Sequence, residues 1–194
     1  MTASPTRHDV HIRRATPDDA APLAAFGARV FAETFSTDNR PGDMALHLAA
    51  TYEPARQARE LTDPALTYLV AEVDRALVGY ALVKSGAAPA CVPPRALEIL
   101  RFYVDRPYHG TGVSRALMAE CIALAERRGA AALWLGVWER NARAIRFYEK
   151  CGFRVVGSQH FTLGTDVQTD RVMVRESDPR RPPAVLPGRR QEEA

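Results

Sequence analysis

The chain has 194 residues, 46% of them hydrophobic and 25% charged, with a net charge of +3. That balance is expected of a soluble globular protein and excludes disorder along the whole chain, and the length suits a single domain. No apolar run reaches the ~18 residues of a membrane span, and the charge is small for a nucleic-acid binder, so neither membrane nor nucleic acid is expected as a partner. All but two of the 26 basic residues are arginine, the lysines being Lys84 and Lys150. Cys91, Cys121 and Cys151 are too sparse for a disulfide framework or a zinc site. They suit a reducing compartment, and the polar start MTASPTRHDVHIRR has no apolar signal core. The expected location is the cytoplasm. No two histidines show ligand spacing, so no metal is expected.

Residues 1–8 and 176–194 read as disordered ends, the second rich in proline and arginine, around one domain at 9–175. Residues 10–13 (VHIR) alternate as a strand. Thr16-Pro17-Asp18-Asp19 then supplies a cap, a first-turn proline and two acids for a helix through Leu23, Phe26, Val30 and Phe31. Residues 43–62 predict one or two short helices broken near Glu53-Pro54. Residues 68–72 and 77–84 predict a hairpin about Asp74-Arg75. After a Pro/Gly/Ala linker at 85–95, residues 97–104 form a fourth strand, in which Glu98, Leu100 and Phe102 alternate with Leu97, Ile99 and Arg101. Residues 113–128 form an amphipathic helix burying Val113, Leu117, Cys121 and Leu124, closed by Gly129. Residues 133–138 are a strand, 141–150 a helix, and 152–157 and 171–174 the last strands. The order predicts an α/β fold with a mixed sheet of about seven strands. Ligands in such sheets bind at strand carboxyl ends beside helix N-termini.

Residues 108–115 (YHGTGVSR) occupy such a place, between the fourth strand and its helix. Gly110 and Gly112 let successive amides turn inward, and the helix N-terminus adds roughly half a positive charge. The result suits phosphate. A Walker A loop needs a lysine that is absent here, and a dinucleotide fingerprint needs glycine where Arg115 stands. A third pattern, Q/R-x-x-G-x-G/A, would read His109, Gly112 and Ser114. Taken alone, the segment is explained equally well as a plain strand-to-helix turn.

Thirty residues on, 133–153 read LWLGVWERNARAIRFYEKCGF, a strand followed by N-x-x-A-x-x-F-Y-x-x-x-G-F. Asn141, Ala144 and Tyr148 share one side of the helix. With the glycine turn, this segment resembles the GNAT N-acetyltransferase family over roughly residues 9–175. The resemblance implies a GNAT-type mixed sheet of six to seven strands flanked by helices, its fourth and fifth strands (97–104 and 132–138) splayed around acetyl-CoA, with coenzyme A as product. It implies that backbone groups of Phe102 and Val104 bond the pantetheine arm and thioester. It also implies that the amides of His109, Gly110, Thr111, Gly112, Val113 and Ser114 wrap the pyrophosphate. Tyr103, Asn141 and Arg143 complete the cofactor set. His109 and Ser114 depart from the family's usual residues. Phe31-Ala-Glu-Thr-Phe35, residues 134–148 and Phe161–Asp170 resemble the PaiA-like branch, which acetylates polyamines such as spermidine. A homodimer is compatible with the family.

The implied reaction is direct attack of a primary amine on acetyl-CoA. An alkylammonium of pKa ~10.4 is neutral about once in 10³ at neutral pH, so a base is useful. Glu98 is the candidate, six residues before Val104 and so expected on its face; a glutamate bridged to Arg101 or Arg115 is the alternative. Tyr148 is the candidate acid for the departing thiolate, and the Val104 amide the seat of the oxyanion. Cys151 as an acyl carrier and His160 as base are the weaker readings. The expected acceptor pocket, between the first helices and the loop joining the last strands, offers Phe31, Glu33, Phe35 and Asp166, with Gln168 and Asp170 nearby. Other amine acceptors, such as antibiotics or protein amines, and a non-catalytic acyl-CoA-binding module are the rival functions.

Overall fold

Residues 66–85 illustrate how the sheet is specified. Leu66–Val73 (β2) and Ala76–Ser85 (β3) are rich in β-branched and aromatic residues. Between them, Asp74 and Arg75 both take left-handed backbone angles, φ 50° and 64°, as a two-residue hairpin with the right twist requires. In the computed structural model, which describes residues 9–177, this hairpin belongs to a seven-stranded sheet of order β1-β2-β3-β4-β5-β7-β6. The other strands are His11–Arg14 (β1), Ala96–Val104 (β4), Ala132–Trp138 (β5), Arg154–Leu163 (β6) and Asp166–Glu176 (β7). All neighbours are antiparallel except β4 and β5. The expected disordered segment 1–8 and residues 178–194 of the expected tail lie outside the described residues. Glu176, assigned to that tail, ends β7.

Helices Ala20–Phe35 (α1), Pro41–Thr51 (α2) and Pro54–Thr62 (α3) cover one face, and Val113–Arg127 (α4) and Ala142–Lys150 (α5) the other. Each of α2 and α3 starts on a proline, whose missing N–H costs nothing in a first turn. Before α1, the Asp19 carboxylate accepts from the Thr16 amide at 2.6 Å and is gripped by Arg13, itself held by Glu72. The face under α4 and α5 is apolar: Val113, Leu117, Cys121 and Leu124 pack on Leu97, Ile99, Leu133, Leu135 and Met173. No helix among the described residues is long and apolar enough to cross a membrane.

Two expectations are corrected. The last two strands are not short pieces at 152–157 and 171–174 but one long hairpin. Residues 158–170 carry polar side chains on both faces and so lack a clear alternation. Only Phe161 and Leu163 pack against the helices. The hairpin turns at Gly164, φ 61°, where a Cβ would lie 2.5 Å from the Asp43 Cα. The Asp43 carboxylate, buried at the start of α2, accepts from the Thr165 amide and hydroxyl at 2.6 and 2.8 Å. Those bonds hold its carboxyl below the usual carboxylate range.

The second correction concerns β4. Leu82 pairs with Arg101 but Val83 with Ile99, so Leu100 is an extra residue, a β-bulge, and is 41% exposed. The bulge breaks the expected alternation. Ile99, Phe102 and Val104 face α4 and α5, whereas Arg101 and Tyr103 face α1–α3. Glu98 lies on the Arg101 side and opposite to Val104, not beside it.

The bulge turns Arg101 inward. Its guanidinium donates to Glu60 and to the Tyr68 hydroxyl, each at 2.7 Å. Tyr68 bonds Gln57 at 2.6 Å and makes a very short bond to Glu60. This cluster ties α3 to the middle of the sheet. A buried charge deprived of its partner is costly. Glu60→Ala should therefore destabilise the protein by about 3–5 kcal/mol in urea unfolding, far more than Glu33→Ala, which breaks an exposed pair with Arg29.

Candidate active site between β4 and β5

Parallel β4 and β5 pair over only three residues, Ala96–Glu98 against Ala132–Trp134, and then part. Backbone groups in a strand point alternately to its two neighbours. The Asp105 amide donates to Val78 of β3 at 2.8 Å, so Tyr103 also points to β3. Phe102 and Val104 therefore turn their N–H and C=O groups into the gap left by β5. This is the arrangement expected of a groove that pairs with an extended, amide-bearing ligand such as pantetheine.

The glycine turn closes the end of the gap. Gly110 and Gly112 have φ of 83° and 104°, and nothing lies within 4 Å of a Cβ built on either. Backbone direction, not crowding, demands glycine at both. Gly112 caps α4, so the first amides of the helix, among them Val113 and Ser114, have no intrahelical acceptor. Thr111 ties the turn back by donating its hydroxyl to the Tyr108 carbonyl at 2.8 Å. His109 Nε2 lies 2.8 Å from the Val104 carbonyl and 3.1 Å from the Arg143 guanidinium. A carbonyl only accepts, so Nε2 carries the hydrogen and cannot also accept from Arg143. Burial, with Arg143 adding to it, keeps the His109 pKa below its ordinary value. Arg143 projects from the first turn of α5 beside this loop and supplies the nearby positive charge. Asn141 is partly committed: its side-chain carbonyl caps α5 by accepting from the Ala144 amide at 3.1 Å.

Tyr148 is buried on α5 among Phe102, Phe147 and Phe153. Burial, reinforced by Tyr103 and two cysteines, pushes its phenol pKa up. Cys151 is half-buried, and burial raises its thiol as well. His160 is exposed on β6.

The expected acceptor residues separate on the other face. Phe31 is core, packed against Phe35, Tyr52 and His47. Phe35 also meets Trp138 edge-on, centroids 6.1 Å apart. Glu33 points away to Arg29, which also clamps Asp105. Asp166 opens β7, exposed, and accepts from Gln168 at 2.9 Å; it is not in a loop. Glu98 is bridged to neither Arg101 nor Arg115 but lies 3.6 Å from Lys84. Burial raises its carboxyl, against the pull of Lys84. Asp170 differs from these: it is 9% exposed, and among the described residues it has no hydrogen bond or ion pair. Burial alone pushes its carboxyl up to about 6. Sequence patterning had set it in a loop with no more weight than its neighbours.

The sequence model of the acetyltransferase (GNAT) family matches residues 30–153. An uncharacterised N-acetyltransferase of Mycobacterium tuberculosis strain H37Rv is 40% identical over 158 residues, 81% of this chain and 97% of its own. A probable spermine N(1)-acetyltransferase of Bacillus subtilis subsp. natto is 32% identical over 77 residues, 39% of this chain and 47% of its own. Among solved structures, the PaiA N-acetyltransferase of Thermoplasma acidophilum in complex with coenzyme A has a TM-score of 0.72 at 19% identity. That match covers 87% of this chain and 99% of the other, and it shows the shared fold. The chain belongs to the GNAT acetyltransferase family. N-acetyl transfer is accordingly its activity, and acetyl-CoA its cosubstrate.

Two outcomes follow from the site's geometry. Placing a side chain at left-handed φ costs roughly 1–2 kcal/mol, so Gly110→Ala and Gly112→Ala should each weaken coenzyme A binding about tenfold in calorimetric titration. Burial pushes the Asp170 carboxyl up to about 6 in the folded protein, from an ordinary value of 3.8. Its contribution to stability is thus fully present below pH 3.8 and lost as pH rises through about 6. Asp170→Asn should raise the melting temperature at neutral pH, with the gain shrinking as pH falls toward 4.

Proposed function

We propose that this protein acetylates a primary amine of a cationic small molecule, of the polyamine class, by direct attack on acetyl-CoA in the cytoplasm. The observation that carries this reading is the interrupted β4–β5 ladder. Backbone groups of Phe102 and Val104 face a gap that ends at the amides of residues 109–114. In this reading the gap holds the pantetheine arm, the glycine turn holds the pyrophosphate with Arg143 beside it, and the Val104 amide bonds the thioester oxygen. Asn141 lines the same route, whereas Tyr103 turns its backbone to β3 and its ring to the α1–α3 side.

The amine approaches from the α1–α3 side. That side carries aromatic walls, Phe35, Tyr103 and Trp138, which favour cations, and the carboxylates Glu98 and Asp170. A carboxylate there takes the ammonium proton. The likeness to a probable spermine acetyltransferase supports the polyamine class. Tyr148 serves the departing sulfur. With its phenol pKa raised by burial, it donates a hydrogen bond and relays a proton rather than existing as a phenolate.

Thiol release from acetyl-CoA by the purified protein tests the reading. The panel is spermidine, spermine, putrescine, aminoglycosides, amino acids and short peptides with free amines. Release with the polyamines is expected. Release only with other amines refutes the polyamine class, and coenzyme A binding without any release points to a non-catalytic binding module. Tyr148→Phe should lower kcat about 10²-fold while leaving the KM for acetyl-CoA nearly unchanged.

A further inference from the structure

We propose that Asp170 is the carboxylate that receives the acceptor's ammonium group and takes its proton, and that Gly136 is the residue that lets it do so. This rests on the amine-acetylation reading above and assigns a residue within it.

Position comes first. Asp170 of β7 pairs with Trp138 of β5 and Gln159 of β6. It shares a sheet face with Trp134 and Val172, away from α4 and α5. Gly136 lies on that face two residues beyond Trp134, the last β5 residue paired with β4. It therefore stands where the two strands begin to part. A Cβ built on Gly136 would lie 3.0 Å from Asp170 Oδ2 and 2.6 Å from Gln159 Nε2. Those two side chains occupy the space above β5 that any other residue at 136 would fill. The carboxylate thus leans over β5 toward the root of the gap, on the face where Trp134 and Val172 form an apolar cluster.

Chemistry comes second. A carboxylate this buried with neither donor nor counter-ion among the described residues is an unmet electrostatic demand. The other acids on this face have theirs met in part: Glu98 has Lys84 and Asp166 has Gln168. Gly136, Trp138 and Gln159, the adjoining residues of β5 and β6, do not ionise; on this face β7 adds Asp166 and, at its far end, Glu176, which Arg154 of β6 holds. Arg140, just past β5, lies over the Trp138 ring. From the helices, Asp43 is spent on Thr165, and His47 is stacked on Phe31 with its pKa lowered by burial. Arg101, on the same face, is consumed by Glu60.

An alkylammonium would supply the missing charge and donors. It then yields one proton to Asp170. The amine nitrogen bonds to the acetyl carbon as the carbon–sulfur bond breaks. The nitrogen's next proton passes to the coenzyme sulfur by way of the Tyr148 hydroxyl, and Asp170 releases its proton to water.

The test is the pH profile of kcat/KM for spermidine, or for whichever amine of the panel is turned over, in wild type, Asp170→Asn, Asp170→Glu, Glu98→Gln and Gly136→Ala. Wild type should lose activity below about pH 6 as Asp170 protonates. Asp170→Asn should lose about 10²-fold and its acidic limb with it, while coenzyme A affinity and cooperative melting persist. Asp170→Glu should recover part of the activity with a limb still present. Gly136→Ala should raise the KM for the amine more than that for acetyl-CoA. Asp170→Asn with wild-type kcat/KM and an intact limb overturns the assignment, as does loss of that limb in Glu98→Gln alone. A wild-type protein inactive toward every amine refutes the amine-acetylation reading itself, an outcome distinct from an active enzyme indifferent to Asp170.

Discussion

The rest of the molecule is arranged around a ladder that stops. After Glu98 and Trp134, β4 and β5 no longer pair, and the freed backbone groups must find partners or remain a cost. One is met from within, since His109 donates to the Val104 carbonyl. In the proposed reading the others are met by the cosubstrate. Such a gap persists because each strand is paired along most of its length on its other side, β4 with β3 over seven registered positions and β5 with β7 over seven. The Arg101–Glu60–Tyr68 cluster then pins β4 to α3. Two firm half-sheets are thereby held apart along a short hinge of shared hydrogen bonds.

The two faces of this divided sheet have different tasks. Under α4 and α5 the contacts are almost wholly apolar, and from that side come the glycine turn, Arg143 and Tyr148. The opposite face mixes aromatic rings with ionisable groups. There burial depresses His47 and raises Asp170 and Glu98. In the proposed reading, cosubstrate binding and amine handling fall on different helices and different chemistry, which lets the acceptor side vary while the thioester side stays fixed.

Much of the first half of this division was legible in the sequence. The spacing of Val113, Leu117, Cys121 and Leu124 located α4, and residues 109–114 and 141–148 marked the glycine turn and α5, because local turn chemistry is written in neighbouring residues. The bulge at Leu100 was not legible. Alternation from Glu98 through Phe102 is unbroken in the sequence, and only pairing with β3 reveals the extra residue. That one residue reverses the placement of Glu98 relative to Val104. The β6–β7 hairpin was missed for a related reason: Ser158–Asp170 packs few apolar side chains, so period two left little trace. With the hairpin went the special position of Asp170, which depends on the bare backbone of Gly136 on a strand 34 residues earlier.

The bond between Asp43 and Thr165 joins residues 122 apart in the chain. Contacts of such separation form only after most of the intervening chain has been ordered, since loop closure must be met first. The groove proposed for acetyl-CoA draws on one continuous stretch, from β4 to α5. The walls proposed for the amine come from α1 near the beginning and the β6–β7 hairpin near the end. During synthesis, then, the residues for holding the cosubstrate are all available before the last strand emerges. The clasp at Gly164 closes the side proposed for the second substrate only when the carboxyl-terminal hairpin has joined the sheet, so in that reading specificity is the last property that the folding chain acquires.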